Sequence, residues 1–539
     1  MITVEYGVIA KGVKEGLVPQ ALNFADISKV DDLTKDDLIF KKFGNPCEPY
    51  SVLLDGKSAP IPRDTSSENI GVWSLYVCNP LGVFDIALPT LTLTSDALLD
   101  TEGLTLTFDT QNNVFPTLFA ISWYNGDALI SSKEYAPTSA VFSIGEDING
   151  FNKIVMVFSK MNTPSSRLKL QSIQYGTISI IEEKTIKNMR VHQLVDPIST
   201  TIPTSTLDLS FLNTDQKNYN FAKREILRII NNGVLIGKYF IENAHQTSKL
   251  QWNIKAQDYI NILESVEFEG GIYNQELALN ILTNIFNKAK VPFTLNDTFL
   301  RMITLSGYIP YTTCRKALQQ VLFAIGSYAR TAYSEGVDIL EYNTDPQEKI
   351  ALDRILMGQS VSIDASITEL ELVAHSYTPI ADEVILHEAN ETEKNLKIIF
   401  NEPTHDLTIE NGEILESGNN YAIVNCQVGA ILKGKKYKHT TFSKIINETV
   451  DGKSGNKKTI KNATLISWSN VDKILNVCYN YITRNIAVKS KIIESETPLV
   501  VGDAYSIETE LFGTVTGIIS EQSFSLYGGK KVVKEAIIK

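Results

Sequence analysis

Ile226-Leu227-Arg228-Ile229-Ile230-Asn231-Asn232-Gly233-Val234-Leu235-Ile236-Gly237-Lys238-Tyr239-Phe240-Ile241 is the stretch whose reading decides the fold. Two apolar runs flank Asn231-Asn232-Gly233, and Asn-Gly is the strongest short hairpin signal because both residues tolerate positive φ. Upstream, Val191 to Val195 reads as a strand up to a break at Asp196-Pro197, and Leu207, Leu209 and Phe211 alternate with polar residues, the period-2 pattern of half-buried strands. Downstream, Leu250 to Ala256 alternates again before Asp258-Tyr259. Paired strands crowded this closely imply a barrel or a sandwich.

Two amphipathic helices follow. Leu277, Ile281, Leu282, Ile285 and Phe286 share one helical face after a candidate cap at Asn274, and Ala289-Lys290-Val291-Pro292 stops the run because proline lacks the donor needed to continue it. Thr312 or Thr313 caps the second helix, whose apolar face is Ala317, Leu318, Val321, Leu322 and Ile325. Further on, Val471 to Ile482 reads as another helix with Ser469 as its cap. The fold class is α+β and mainly β.

The succession Trp252-Asn253-Ile254-Lys255-Ala256-Gln257-Asp258-Tyr259, a helix, Ala289-Lys290-Val291-Pro292-Phe293, a strand near Ile303, and Tyr311-Thr312-Thr313-Cys314-Arg315-Lys316-Ala317-Leu318-Gln319-Gln320-Val321 resembles the tail-hub family. That family comprises the baseplate hubs of contractile phage tails and phage-like bacteriocins, and the tail-associated proteins of long non-contractile tails. The C-terminal phrases Val500-Val501-Gly502-Asp503-Ala504-Tyr505, Gly513-Thr514-Val515-Thr516-Gly517-Ile518-Ile519 and Leu526-Tyr527-Gly528-Gly529 are similar to those that end family members. The resemblance covers Ser179 to Lys539 and implies two hub-type β-barrels per chain, three chains forming a ring of six quasi-equivalent units.

With 539 residues, three to five domains are expected. Residues 1–64 read as an N-terminal arm with a strand from Ile2 to Ile9, ending in Pro46-Cys47-Glu48-Pro49-Tyr50 and Leu53-Leu54-Asp55-Gly56. Residues 65–180 carry short strands at regular spacing, the signature of a β-sandwich, and resemble carbohydrate-binding jelly rolls. Residues 181–266 with 351–380 are assigned to the first barrel, and 381–445 with 484–539 to the second, both on the strength of the resemblance. Residues 267–350 form a helical subdomain, and 446–483 a basic loop followed by a helix.

The composition, 43% hydrophobic and 21% charged, is that of a folded globular protein, and the net charge of −12 argues against a general nucleic-acid binder, which needs a basic face. The N-terminus lacks the pattern of a signal peptide, and no apolar run approaches the roughly 20 residues of a membrane helix. Five cysteines, Cys47, Cys78, Cys314, Cys426 and Cys478, are scattered without CxxC spacing, so neither a disulfide framework nor a zinc site follows. Those in or beside helices read as small core hydrophobes.

Catalytic signals are missing. His387-Glu388 matches the first half of a zinc-protease motif, but position 391 is glutamate where the second histidine belongs. His192, His245, His375, His405 and His439 read as isolated. The basic run Lys433, Lys435, Lys436, Lys438, Lys453, Lys457, Lys458 and Lys461 surrounds Asp451-Gly452-Lys453-Ser454-Gly455, which lacks phosphate-loop spacing and reads as a solvated hairpin loop, suited to an acidic partner or a neighbouring subunit. In the sandwich, Trp73, Trp123 and Tyr124 are the candidates for stacking on a sugar, against the stronger reading that strand aromatics fill the core.

No catalytic residue, cofactor or metal is expected. The resemblance implies a structural homotrimer at the tail tip or baseplate of a virion, assembled in the host bacterial cytoplasm. It would adapt the sixfold tube to the threefold spike or fibre and line a channel through which DNA passes without specific binding. Its partners would be the tail tube or distal tail protein, the spike or fibre protein and the tape measure protein. A glycan-binding adhesin or cell-wall glycan hydrolase using the sandwich as its carbohydrate-binding module is the competing reading. Some hub relatives carry an appended lysozyme or peptidase domain after the barrels; none is expected here, since the chain stops soon after its last strand.

Overall fold

The computed structural model describes residues 2–7, 17–25, 43–44, 59–60, 71–101, 103–110, 112–146, 148–176, 178–214, 219, 221–295, 300–356, 358–448, 455–492, 498–510, 512–527, 530–531 and 534–538. The fold is α+β and mainly β, as expected. It divides into two compact units, Glu5–Ile180 and Met1–Val4 with Ile181–Lys539.

The first unit packs two antiparallel sheets. One has the order Val18–Leu22, Thr90–Thr101, Ile148–Met161, Pro116–Asn125, Ala128–Tyr135; the other has Val141–Ile144, Leu104–Phe108, Lys169–Tyr175, Val72–Trp73. Alternation dictates the faces. Leu91 and Leu93 point inward from one sheet and Leu104, Leu106 and Phe108 from the other, and Phe108, Phe119 and Phe158 interlock, the last pair stacked at 5.4 Å. Val18–Leu22 forms an edge of this unit, so part of the expected arm is sandwich. The Pro46 to Gly56 phrase lies outside the described residues.

The second unit is built on a wide sheet. Its order is Ile178–Glu182, Ile2–Gly7, Ile226–Asn231, Val234–Ser248, Gln251–Gln257, Thr206–Leu212, Ile186–Leu194, Gly513–Tyr527, Lys534–Ile538, Ile486–Ile492, Ser360–Ile363. The hairpin forms as read, with Asn231 opposite Val234 and Asn232 and Gly233 at φ 50° and 80°, a two-residue turn in the left-handed region. At the centre, Met189 lies opposite Leu526 and Val191 opposite Phe524.

That junction overturns the expected grouping of segments. Residues 186–257 are hydrogen-bonded to 486–538 in one sheet, whereas 367–388 pairs with 421–447 in another. The reason is continuity: Ile367–Glu388 is one strand running through the expected boundary at residue 380, with a matching stretch of Tyr421–Asn447 beside it from Asn447 to Ile431. Local alternation fixes which face of a strand is buried but not which strand lies next to it.

The helices Tyr259–Glu264, Ala278–Ala289, Cys314–Ile325 and Val471–Ile482 share one core with Leu370, Leu372 and Ala374 of the strand Ile367–Glu388. Thr313 caps Cys314–Ile325 by accepting from Lys316 N, as expected. Asn274 caps nothing. It lies in the strand Gly271–Leu277, and Leu277 is the N-cap, without a side-chain bond. Nor is Ser469 a cap: Asn470 holds that position, and its amide turns inward to the carbonyls of Ala324 and Leu465, both at 3.1 Å. Lys290, left-handed at φ 53°, ends Ala278–Ala289 ahead of Pro292. At Gly307, φ 148°, a Cβ would strike the Thr464 carbonyl oxygen, and this closeness lets Tyr308 N donate to that oxygen at 3.2 Å.

Candidate assembly surface and polar clusters

In the second unit, Ile367–Glu388 and Tyr421–Asn447 leave the helical core behind. The first half of Ile367–Glu388 alternates buried and half-buried, and the second half is largely exposed. The outer half has a satellite core of its own, with Ala389, Phe400, Ala422, Val424, Cys426, Ala430 and Leu432, flanked by Glu393–Ile399 and Thr404–Ser417. Around it, Val428 is 66% exposed, Ile385 and Ile399 50%, and Leu415 46%. Aliphatic side chains exposed on so small a body are candidates for a contact surface.

The basic run lies on this sheet, largely in strands instead of a loop, and Asp451–Ser454 fall outside the described residues. The strands are hard to read here because lysines stand where the apolar residues of a period-2 pattern are looked for. Several of these lysines face carboxylates of the same sheet. Lys457 Nζ sits 3.0 Å from Glu369 and 2.9 Å from Glu371, and its hydrogen bond holds Glu371 below the usual carboxylate range. Lys435 reaches Asp406 at 3.1 Å and Lys433 reaches Glu410 at 2.5 Å. The positive charge expected to meet an acidic partner is thus partly neutralised within the chain, by exposed pairs of small individual worth.

Histidines read as isolated are brought into contact by register. Tyr377 lies opposite His439 and stacks on it at 4.5 Å, Tyr308 stands 5.3 Å from Tyr377, and His375 stacks on His439 at 5.2 Å. His375 Nε2 is 3.0 Å from the Lys461 carbonyl oxygen, which can only accept, so Nε2 carries the hydrogen and Nδ1 accepts from His439 Nε2 at 2.9 Å. Burial, then His439, holds His375 below the ordinary histidine range. The unfolded chain therefore takes up a proton near pH ~6.5, before folded His375 does. Stability from this group is present above that pH and lost as pH falls below it. His375→Gln, which keeps a donor for Lys461, is expected to flatten the decline in urea midpoint between pH 7 and pH 5; an unchanged slope would refute the assignment.

Elsewhere His192 Nε2 meets Glu521 at 2.9 Å and His405 meets Asp406 at 3.3 Å. His387 Nε2 lies 3.0 Å from Glu393 Oε2, and with the buried Cys426 Sγ these atoms all fall within 4.8 Å of one another. Burial, then Glu393, pushes the Cys426 thiol up. A cleft of about 170 Å³ lined by Tyr328, Arg330, Asn343 and Asp503 is smaller than the roughly 300–1,000 Å³ of a small-molecule site. The Arg330–Asp503 ion pair, at 2.7 Å, lies along its wall.

Two of the three candidate sugar-stacking residues are not available for that role. Trp73 and Trp123 are each 2% exposed. Lys169 Nζ covers the Trp73 ring at 4.5 Å, and Trp123 packs edge-on against Phe151 at 4.8 Å. Trp123 points inward because its strand position alternates into the sandwich core, whereas Trp73, next to the core residue Val72, is buried on the other face of its strand. Tyr124, the next residue after Trp123, falls on the outer face and is half-buried, with Lys153 Nζ 5.1 Å from its ring.

No protein-family model and no curated protein matches the chain. Among solved structures it is similar to the 43 kDa tail protein of prophage MuSo2 from Shewanella oneidensis, at 7% identity and a TM-score of 0.42, over 67% of this chain and 95% of that one. It is similar to a tail protein from Neisseria meningitidis MC58, at 10% identity and 0.43, over 66% and 92%. Prophage tail protein gp18 from Listeria monocytogenes EGD-e gives 10% identity and 0.39, over 67% and 90%.

Proposed function

We propose that this chain is a structural hub at the distal end of a phage or phage-like tail, a homotrimer that adapts the sixfold tube to a threefold spike or fibre and lines the central channel. The observation that carries the reading is the outer part of the second sheet, where Ile367–Glu388, Tyr421–Asn447, Glu393–Ile399 and Thr404–Ser417 display Ile385, Val428, Ile399 and Leu415 to solvent on a body with its own small core. Such a surface suits burial against another copy. The sequence resemblance from Ser179 to Lys539 supplies the setting. The neighbours named above are described as tail proteins, but their TM-scores are below 0.5, so the reading rests on the chain's own residues.

Each chain contributes two β-bodies, the wide sheet and the second sheet. Three chains then present six such bodies around an axis, meeting a sixfold neighbour on one side and leaving a threefold face on the other. A net charge of −12 keeps passing DNA from adhering to the wall. The tube or distal tail protein, the spike or fibre protein and the tape measure protein are the partners, and the location is the virion tail tip or baseplate. The adhesin or hydrolase alternative loses its main support with the burial of Trp73 and Trp123.

Native mass spectrometry of the full chain, alone and with the neighbouring tail proteins, tests this reading. A mass of three copies is expected, and Val428→Asp combined with Ile385→Asp should shift the population to monomer by about tenfold or more, since two desolvated carboxylates would face the interface. A particle image placing the chain off the tail axis overturns the proposal.

A further inference from the structure

The strand Ile367–Glu388 does not stop at its end so much as break and resume. Both it and Glu393–Ile399 pair antiparallel with Tyr421–Asn447, Glu388 opposite Ile431 and Glu393 opposite Cys426. Residues 389–392 bridge the two segments. Ala389 N donates to Ala430 O at 2.9 Å, and Gly429 N, at φ 79°, donates to Ala389 O at 2.8 Å. In an unbroken strand, residues six apart are separated by roughly 20 Å. Here the break brings His387 Nε2 to 3.0 Å from Glu393 Oε2, and the partner strand adds Cys426 Sγ from below.

We propose that His387 Nε2, the Glu393 carboxylate and Cys426 Sγ form a zinc site. The donor set suits the ion: a thiolate and an imidazole select a borderline-soft transition metal over calcium or magnesium, which prefer all-oxygen shells. The distances suit it as well, because ligand atoms around tetrahedral zinc lie roughly 3.3–3.6 Å apart. The present pair at 3.0 Å and the outer limit of 4.8 Å bracket that spacing. Cys426 is buried on the satellite core, while His387 and Glu393 are about a quarter exposed, at 26% and 25%. Three ligands therefore come from the chain, and the fourth position faces solvent, where water or a donor from a neighbouring molecule completes the tetrahedron. Binding releases the Cys426 thiol proton to solvent, with no redox step. An ion there ties two strand segments to their common partner and fixes the angle at the break.

The full chain, stripped with a chelator and titrated with cobalt(II) as a spectroscopic stand-in for zinc, tests the proposal. One cobalt per chain with a thiolate-to-cobalt charge-transfer band is expected. Cys426→Ala should abolish the band and Cys47→Ala should leave it. His387→Gln keeps a polar side chain at the break and should weaken cobalt binding at least about tenfold, a readout that stands even if Cys426→Ala fails to fold. Absence of the band in the wild-type chain, its survival in Cys426→Ala, or unchanged affinity in His387→Gln overturns the assignment.

Discussion

Asp258→Ala is expected to lower the stability of the second unit by about 3–5 kcal/mol, the sum of a lost helix cap and two orphaned donors. The carboxylate is 1% exposed. It accepts from Ile260 N at 3.1 Å, capping the helix Tyr259–Glu264, from Ser205 N at 3.0 Å and from Thr331 Oγ1 at 2.7 Å. It therefore holds together a helix start, the approach to the strand Thr206–Leu212 and the segment after Ser327–Arg330. Alanine leaves the Ser205 and Thr331 hydrogens facing an apolar core. A shift of the denaturant midpoint measures the loss, and a change under about 1 kcal/mol would show that these donors find other partners.

The same group sets a pH signature opposite to that of His375. Burial pushes Asp258 up to about 6, above the ~3.9 of an unfolded aspartate. Between those values the folded chain binds the proton more readily, so acidification favours the folded state there. The deficit of the alanine variant should be larger at pH 5 than at pH 7.

In the sandwich, Asp109→Ala is expected to destabilise by about 3–5 kcal/mol, because it breaks a buried ion pair. Asp109 and Lys169 side chains are 1% and 8% exposed and 3.6 Å apart. Asn112 donates to the same carboxylate through its backbone at 3.0 Å and its side chain at 2.8 Å, which fixes the turn from Asp109 to Val114. Removing both charges together, as Asp109→Leu with Lys169→Met, should restore most of the loss, since apolar replacement of a buried pair is often neutral. Thermal unfolding of the single and double variants separates the two outcomes. A double variant no more stable than Asp109→Ala would mean that the Asn112 turn, and not the broken ion pair, dominates.

What could be read from the sequence was what neighbouring residues decide among themselves. The Asn232-Gly233 turn needs only two positive φ values, the face of Ala278–Ala289 follows from helical spacing, and Thr313 sits where a capping hydroxyl is required. Asn274 misled because a strand, Gly271–Leu277, runs up to the helix and leaves no room for a polar cap. Ser469 misled because Asn470 serves carbonyls from distant segments. Partner choice was not legible. Nothing near Ile186–Leu194 announces that Gly513–Tyr527 will lie beside it, and the meeting of His375 with His439, or of His387 with Glu393 and Cys426, depends on register and on one broken strand. Trp123 is buried in the sandwich core, while Trp73 is buried on the face of its strand opposite the core residue Val72.

The seam between Ile186–Leu194 and Gly513–Tyr527 joins residues more than three hundred positions apart. During synthesis the early strands of the second unit must wait, one edge bare, until Gly513–Tyr527 has been made. A ribosome that halts before Gly513 releases a chain with its widest layer cut in two. The closing of this layer thereby becomes a checkpoint that a chain halted before Gly513 fails.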